Sequence, residues 1–428
     1  MTLNLDLPSG DPRRGLSTMA QGLVGSEILK ISAEIRAAQA KGAQICNLTV
    51  GDFAPTEFPI PAELRQAIDR ALSKGETNYP PADGVLRLRT AVQTFYRERL
   101  ELDVPLESVV IAGGSRPVIF SAYSALIEKG DTVVYPVPSW NNNHYCHLVG
   151  ARSVVLPTSA DAGFLPTAKG LKPLLAEARL LALCTPLNPA GTVLAEDEVR
   201  RIAEVVVDEN RRRDSTGQKP LYLLYDQVYW TLTFGAARHH TPVKLVPESA
   251  AYTIFVDGIS KAFAATGVRV GWGVGPRAVI AGMRDILGHV GAWAPRAEQV
   301  ATAEFLADGA AVERYRAQLH KGLQARLDRL HKGFTAMAAA GLPVRSIEPQ
   351  GAIYLSVQFG LAGKHGLSTN NDVRRYLLEE AGFAAVPFQA FGLEGETGWF
   401  RLSVGAVSEA DIEKTMPRVE AALRKALA

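Results

Sequence analysis

Seven short, largely apolar runs constrain this chain most, at residues 108–112, 132–135, 152–156, 180–184, 221–225, 252–256 and 268–272. None alternates cleanly with polar residues. A strand that is apolar at successive positions needs cover on both faces, as in a parallel sheet sandwiched between helices. Segments of helical period lie between the runs. Residues 61–74 place Leu64, Ile68 and Leu72 four apart, with Gly75 just beyond the end, and residues 117–129 also stop at a glycine, Gly130. Residues 196–210 open on Glu196, Asp197 and Glu198, the charge that a helix dipole favours at its N-terminus. The alternation predicts an α/β fold: a large domain with a mostly parallel seven-stranded sheet covered by helices.

The texture changes after Gly341. Residues 344–347, 352–357, 383–387 and 399–404 read as short strands, with helices near 371–381 and 408–428, which is the pattern of a smaller α+β layer. A long helical stretch, 297–339, broken near Gly309, leads into it. The expected division is an N-terminal arm with part of the small domain (1–55), a large domain (56–305) and a small C-terminal domain (306–428). Composition narrows the function. A net charge of +2 over 428 residues gives no nucleic-acid footprint, and no apolar run approaches the ~18 residues of a membrane span. Cys46, Cys146 and Cys184 are isolated and odd in number, and residues 1–30 lack the apolar core of a signal peptide, so a reducing, cytoplasmic compartment is expected. His144-Tyr145-Cys146-His147 and His239-His240 lack the second spaced pair of a structural zinc site, so no metal is expected. Arg211-Arg212-Arg213, beside Asp214, Ser215 and Gly217, reads as a solvated loop.

Chemistry-bearing residues fall where apolar runs end. The run at 252–256 leads into Ser260-Lys261-Ala262-Phe263, and Arg269 follows eight residues after the lysine. A lysine near the carboxyl end of a buried strand is partly desolvated, which lowers its pKa and makes its amine a nucleophile able to form a Schiff base. An arginine nearby offers a planar, bidentate grip on phosphate. The run at 221–225 enters Asp226-Gln227-Val228-Tyr229, at the strand edge where open α/β sheets bind ligands. The run at 180–184 enters Thr185-Pro186-Leu187-Asn188-Pro189-Ala190-Gly191, and the run at 108–112 enters Gly113-Gly114-Ser115-Arg116, a glycine turn at a helix start that presents N–H groups to an anion. Arg401, inside the apolar stretch Trp399-Phe400-Arg401-Leu402, needs either an ion pair or a bound carboxylate. Taken singly, each has an ordinary structural reading: a surface lysine, a strand-capping aspartate, an Asn-Pro turn.

Taken in order, these pieces resemble the class I and II aminotransferases, fold-type I enzymes that use pyridoxal 5′-phosphate, from about Leu23 to the C-terminus. The resemblance implies that Lys261 holds the cofactor as a Schiff base and moves the proton, and that Arg269 binds its phosphate. Asp226 would pair with the pyridine nitrogen, and Tyr229 and Asn188 with the ring oxygen. Gly114 and Ser115 would cradle the phosphate, Trp140 would stack on the ring, and Arg401, with Gly51 beside it, would take the substrate α-carboxylate. Tyr79 would reach the phosphate of a neighbouring subunit, which implies a homodimer with shared sites. Cis peptide bonds are implied at Val137-Pro138 and Asn188-Pro189. Residues 24–28, 141–144 and the partner's surface around Trp293 would shape the side-chain pocket.

The chain departs from the family pattern in three places. Gly258 stands where a phosphate-binding hydroxyl is usual, with Arg116 and Ser260 as candidate replacements. Gln227 follows the aspartate where glutamate is frequent. Residues 288–291 lack the arginine of one aspartate-specific branch, Arg296 falling later. The implied activity is transfer of the amino group of an L-α-amino acid to a 2-oxo acid by a ping-pong route. A β-lyase acting on a β-substituted amino acid is the alternative.

Overall fold

The strand–helix alternation closes into one mixed sheet. The structure, a computed structural model, describes residues 3, 5, 11–23, 25 and 27–428. Its strands are, in chain order, β1 (Cys46–Asn47), β2 (Val109–Ala112), β3 (Thr132–Val137), β4 (Arg152–Pro157), β5 (Ala178–Cys184), β6 (Tyr222–Asp226), β7 (Thr253–Gly258), β8 (Gly271–Val274), β9 (Val344–Ser346), β10 (Tyr354–Phe359), β11 (Phe383–Ala384), β12 (Val386–Pro387) and β13 (Trp399–Ser403). The seven-stranded sheet has the order β2-β8-β7-β6-β5-β3-β4. Strands β3 to β7 pair in parallel, and β8 runs antiparallel to both β2 and β7.

Successive residues of the central strands feed two cores. Leu224, Ile254 and Val256 pack with Val118, Ala122 and Met283 on one face, while Leu223, Tyr225 and Phe255 pack with Val199, Ile202 and Val206 on the other. Each such buried side chain is worth ~1.5–3 kcal/mol of transfer free energy, so both helical layers are held by the same strands. The helix Glu196–Thr216 buries Val199, Ile202, Ala203, Val206 and Val207, one stripe at helical spacing, and ends on left-handed Gly217.

This helix runs six residues past its expected end and corrects the reading of Arg211-Arg212-Arg213. Arg213 is buried, donating to the carbonyls of Leu175, Ala178 and Lys219 and to Glu209. Strand β8 begins three residues later than the apolar run. Arg269 takes a left-handed backbone (φ 63°), which breaks the strand there and turns the side chain aside. The long helical stretch divides at Asp308 into Arg296–Ala307 and Gly309–Ala339.

A second, antiparallel sheet has the order β12-β13-β10-β9, and β1 pairs in parallel with β11. Val137-Pro138 and Asn188-Pro189 are cis, as is Thr185-Pro186. Among the described residues, no helix is long and apolar enough to cross a membrane, and no group of three or more His, Cys, Asp or Glu converges as metal ligands. His147 instead bonds the carbonyl of Met19 through Nε2.

Candidate active site

Parallel register puts the chemistry on one edge. Cys184 of β5 aligns with Asp226 of β6, and Asp226 with Val256 of β7, two residues before the β7 terminus. Lys261 stands on the single helical turn that follows, Ile259–Ala262. Asp226 and Lys261 therefore leave neighbouring strand ends into one cavity of about 570 Å³.

Lys261 Nζ donates to the carbonyl of Gly51 at 2.6 Å. Burial pulls its pKa down to about 8; Asp52 opposes this, and the charges of Arg401, Arg116 and Arg269 add to the fall. Asp226 accepts only the Val228 N–H, at 3.2 Å, and no cation pairs with it among the described residues. Burial therefore pushes its carboxyl up to about 7.

Arg269 donates to the carbonyls of Thr266 and Gly113, at 2.7 and 2.8 Å. Its guanidinium lies against Gly114, where a Cβ would collide with it and where φ is 100°, so this position requires glycine. Gly114 also caps the helix Ser115–Leu126, whose N-terminus has no side-chain cap. Free N–H groups beside an arginine make an anion cradle.

Arg401, on β13, is buried. It donates to Asn188 Oδ1 at 3.1 Å and to the carbonyl of Thr49 at 2.6 Å, while its Nε has no partner. The rings of Tyr354 and Phe391 lie 4.7 and 4.8 Å from its Cζ. No carboxylate pairs with it among the described residues, so a buried guanidinium is left facing the cavity with hydrogen-bonding capacity to spare.

Gly51, Ser115, Arg116, Trp140, Asn188, Asp226, Tyr229, Ser260, Lys261, Arg269 and Arg401 all line this cavity. Gly114 lies behind Arg269, off the wall. Tyr79 is elsewhere, 81% exposed and edge-on to Trp293 at 5.3 Å. Arg296 is held by Glu76 at 2.6 Å. Of the residues expected to shape the side-chain pocket, Asn141 lines the cavity, while Val24 and Ser26 lie outside the described residues. Tyr354, which also lines the cavity, carried no mark in the sequence beyond being an aromatic at the head of an apolar strand.

The missing hydroxyl at 258 has a steric cause. A Cβ there would come within 2.8 Å of both Gly271 Cα and the Val270 carbonyl, so β8 leaves no room for a side chain.

These features fit pyridoxal 5′-phosphate: a desolvated lysine, a carboxyl awaiting a cation, and an arginine beside a free helix N-terminus. Fold and pocket together define a fold-type I pyridoxal phosphate enzyme. The family model described as "Aminotransferase class I and II" matches residues 43–419, and the chain belongs to that family. It is 30% identical over 405 residues to an aspartate aminotransferase of Rhizobium meliloti, covering 93% of each chain. It superposes on the Thermus thermophilus aspartate aminotransferase with maleate at a TM-score of 0.85, with 26% identity over 96% of this chain and all of the other. An aromatic aminotransferase from Pyrococcus horikoshii gives a TM-score of 0.80 with 26% identity, covering 92% and 99%.

Proposed function

We propose that this protein transfers the amino group of an L-α-amino acid to a 2-oxo acid by a ping-pong cycle, with an acidic amino acid as the first donor to test. The observation that carries this reading is the pair formed by Lys261, a buried amine, and Asp226, a buried carboxyl without a cation, at adjacent strand ends of a single cavity. When bound, pyridoxal phosphate supplies an electron sink for the pair left at the substrate Cα. The protein's residues do the rest. Asp226 holds a proton on the ring nitrogen. Gly114, Ser115, Ser260 and Arg269 hold the phosphate, Tyr229 and Asn188 the ring oxygen, and Trp140 covers the ring. Arg401 grips the α-carboxylate beside Gly51 and so orients the Cα–H bond, a step in which small misplacements are costly. Lys261 Nζ would take the Cα proton and pass it to the cofactor rather than back to Cα, which is what makes the transfer net.

The acidic donor is supported by relatives that bear the name aspartate aminotransferase and by Arg116. Arg116, which the sequence also offered as a phosphate ligand, is assigned to the donor's side-chain carboxylate: it lines the cavity with its Cζ 5.4 Å from the Trp140 ring centroid and has no ionic partner among the described residues. With every comparison above named an aminotransferase, the β-lyase alternative is set aside. We further propose the division into 1–55, 56–305 and 306–428, a homodimer in which the exposed Tyr79 reaches the partner's site, and a cytoplasmic location, supported by three free cysteines.

The deciding experiment is the visible spectrum of the purified protein with pyridoxal phosphate, before and after adding single amino acids without an oxo acid. A band that aspartate or glutamate converts to the aminated cofactor, with release of the matching oxo acid, is the expected result. A band that only aromatic amino acids convert overturns the acidic donor, and the absence of any band overturns the cofactor site.

A further inference from the structure

Tyr354 joins three parts of the site: Tyr229, Arg401 and the Gly51 carbonyl that holds Lys261. Its hydroxyl lies 2.6 Å from that of Tyr229, with the two rings edge to face at 5.5 Å and both side chains buried. Its ring lies 4.7 Å from the Arg401 guanidinium carbon. Its hydroxyl also abuts Gly51, where a Cβ would come within 2.7 Å of it, and the carbonyl of Gly51 holds Lys261. Among the described residues, neither tyrosine hydroxyl has another hydrogen-bond partner.

Two hydroxyls that share one hydrogen bond must divide the roles: one donates, the other accepts and keeps its own proton free. A cation over a phenol ring draws charge from it and makes the O–H the better donor. Arg401 faces the Tyr354 ring directly. We infer that Tyr354 is a positioning residue that donates to Tyr229, leaving the Tyr229 proton to be given to the cofactor's ring oxygen. The inference rests on the proposed cofactor site and deepens it, because the substrate-carboxylate arginine then acts on the cofactor through Tyr354. Buried chains of hydrogen bonds polarise one another in this way.

The sign of one measurement separates the possibilities. A donor at the ring oxygen stabilises its anionic form and holds the titration of the cofactor's visible band at low pH. In the cofactor-loaded Tyr354→Phe variant, loss of the incoming hydrogen bond weakens Tyr229 as a donor, and the titration midpoint should rise by ~0.5–1 pH unit, the scale of one hydrogen bond. Tyr229→Phe should raise it further, and adding Tyr354→Phe to that variant should change nothing more. A midpoint that falls would mean that Tyr229 donates to Tyr354 and that the inferred direction is reversed. An unchanged midpoint, or an equal rise in the Tyr229→Phe background, would overturn the role altogether. Phenylalanine keeps the ring packing, and thermal melting checks that the fold is retained. If the unaltered protein shows no visible band, the cofactor reading itself has failed, an outcome distinct from a band that does not shift.

Discussion

The side-chain amide of Gln227 donates through Nε2 to the hydroxyl of Tyr96 at 3.2 Å. Its Oε1 meets His239 Nε2, also at 3.2 Å, so the amide both donates and accepts. Tyr96 in turn donates to Asp257 Oδ2 at 3.3 Å, and the Trp230 indole N–H and the Gly258 backbone N–H donate to the same carboxyl at 2.8 and 2.7 Å. Every donor in this buried chain points toward Asp257. That explains an amide next to Asp226 where the family frequently has glutamate: a carboxylate at 227 has no N–H for Tyr96. Gln227→Glu should therefore lower stability by ~1–3 kcal/mol, the effect of a buried polar group losing its partner. Urea unfolding of the two proteins checks this, and equal midpoints would leave the chain without a structural role.

Asp226 predicts a pH dependence. Its folded carboxyl titrates at about 7 in the cofactor-free protein, against an ordinary 3.8. Between these values the folded state binds the proton that the unfolded state has lost, so this group's contribution to stability is full below pH ~4 and is lost as the pH rises through 7. Asp226→Asn removes the loss. Relative to the unaltered protein, the cofactor-free variant should gain about 3 kcal/mol between pH 4.5 and 8. Asp257, also raised by burial, is raised further by the charge of Asp226, so its own titration falls in the variant and adds to the gain in the same direction. A stability difference that stays flat with pH would refute the assignment.

Much of this was legible because strands buried on both faces leave a plain mark. The seven apolar runs became the seven strands of one sheet, although β4, at the sheet's margin, is largely exposed rather than covered on both faces. Asp226 and Lys261 fell at the carboxyl end because a strand's end fixes where its next side chain goes. Contacts across long sequence separations were not legible. Tyr354 meets Tyr229 across 125 residues, and Gln227 meets Tyr96 across 131. No local pattern distinguishes such a tyrosine from one that only fills the core. Arg213 misled for a related reason: three arginines in a polar stretch look solvated until the carbonyls of Leu175 and Ala178, on another segment, come to meet one of them.

Gly258 yields a prediction against the family pattern. Restoring the usual hydroxyl with Gly258→Ser would drive a Cβ into Gly271 and the Val270 carbonyl. Backbone cannot swing aside as a side chain does, so the overpacking should cost about 1–3 kcal/mol. Cofactor affinity, read by titrating the visible band, should fall or stay level. Tighter binding with unchanged stability would show that the position is simply lacking a phosphate ligand.

Arg401 and Lys261 separate binding from chemistry. Lys261→Ala should abolish turnover, since no other amine lines the cavity among the described residues. Arg401→Lys keeps a charge but loses the planar fork that meets a carboxylate with two hydrogen bonds, and lysine does not replace arginine at such a site. It should also free Asn188 Oδ1 and the Thr49 carbonyl from the bonds they now accept. A loss of ~2–3 kcal/mol, roughly 30- to 150-fold in kcat/KM, is expected for a charged, bidentate contact, with the visible band and cofactor affinity retained. Steady-state kinetics with aspartate and with alanine should show the same fold-loss for both, because the α-carboxylate is common to them. A loss confined to aspartate would move Arg401 from the α-carboxylate to the side chain and require a different residue for the fork.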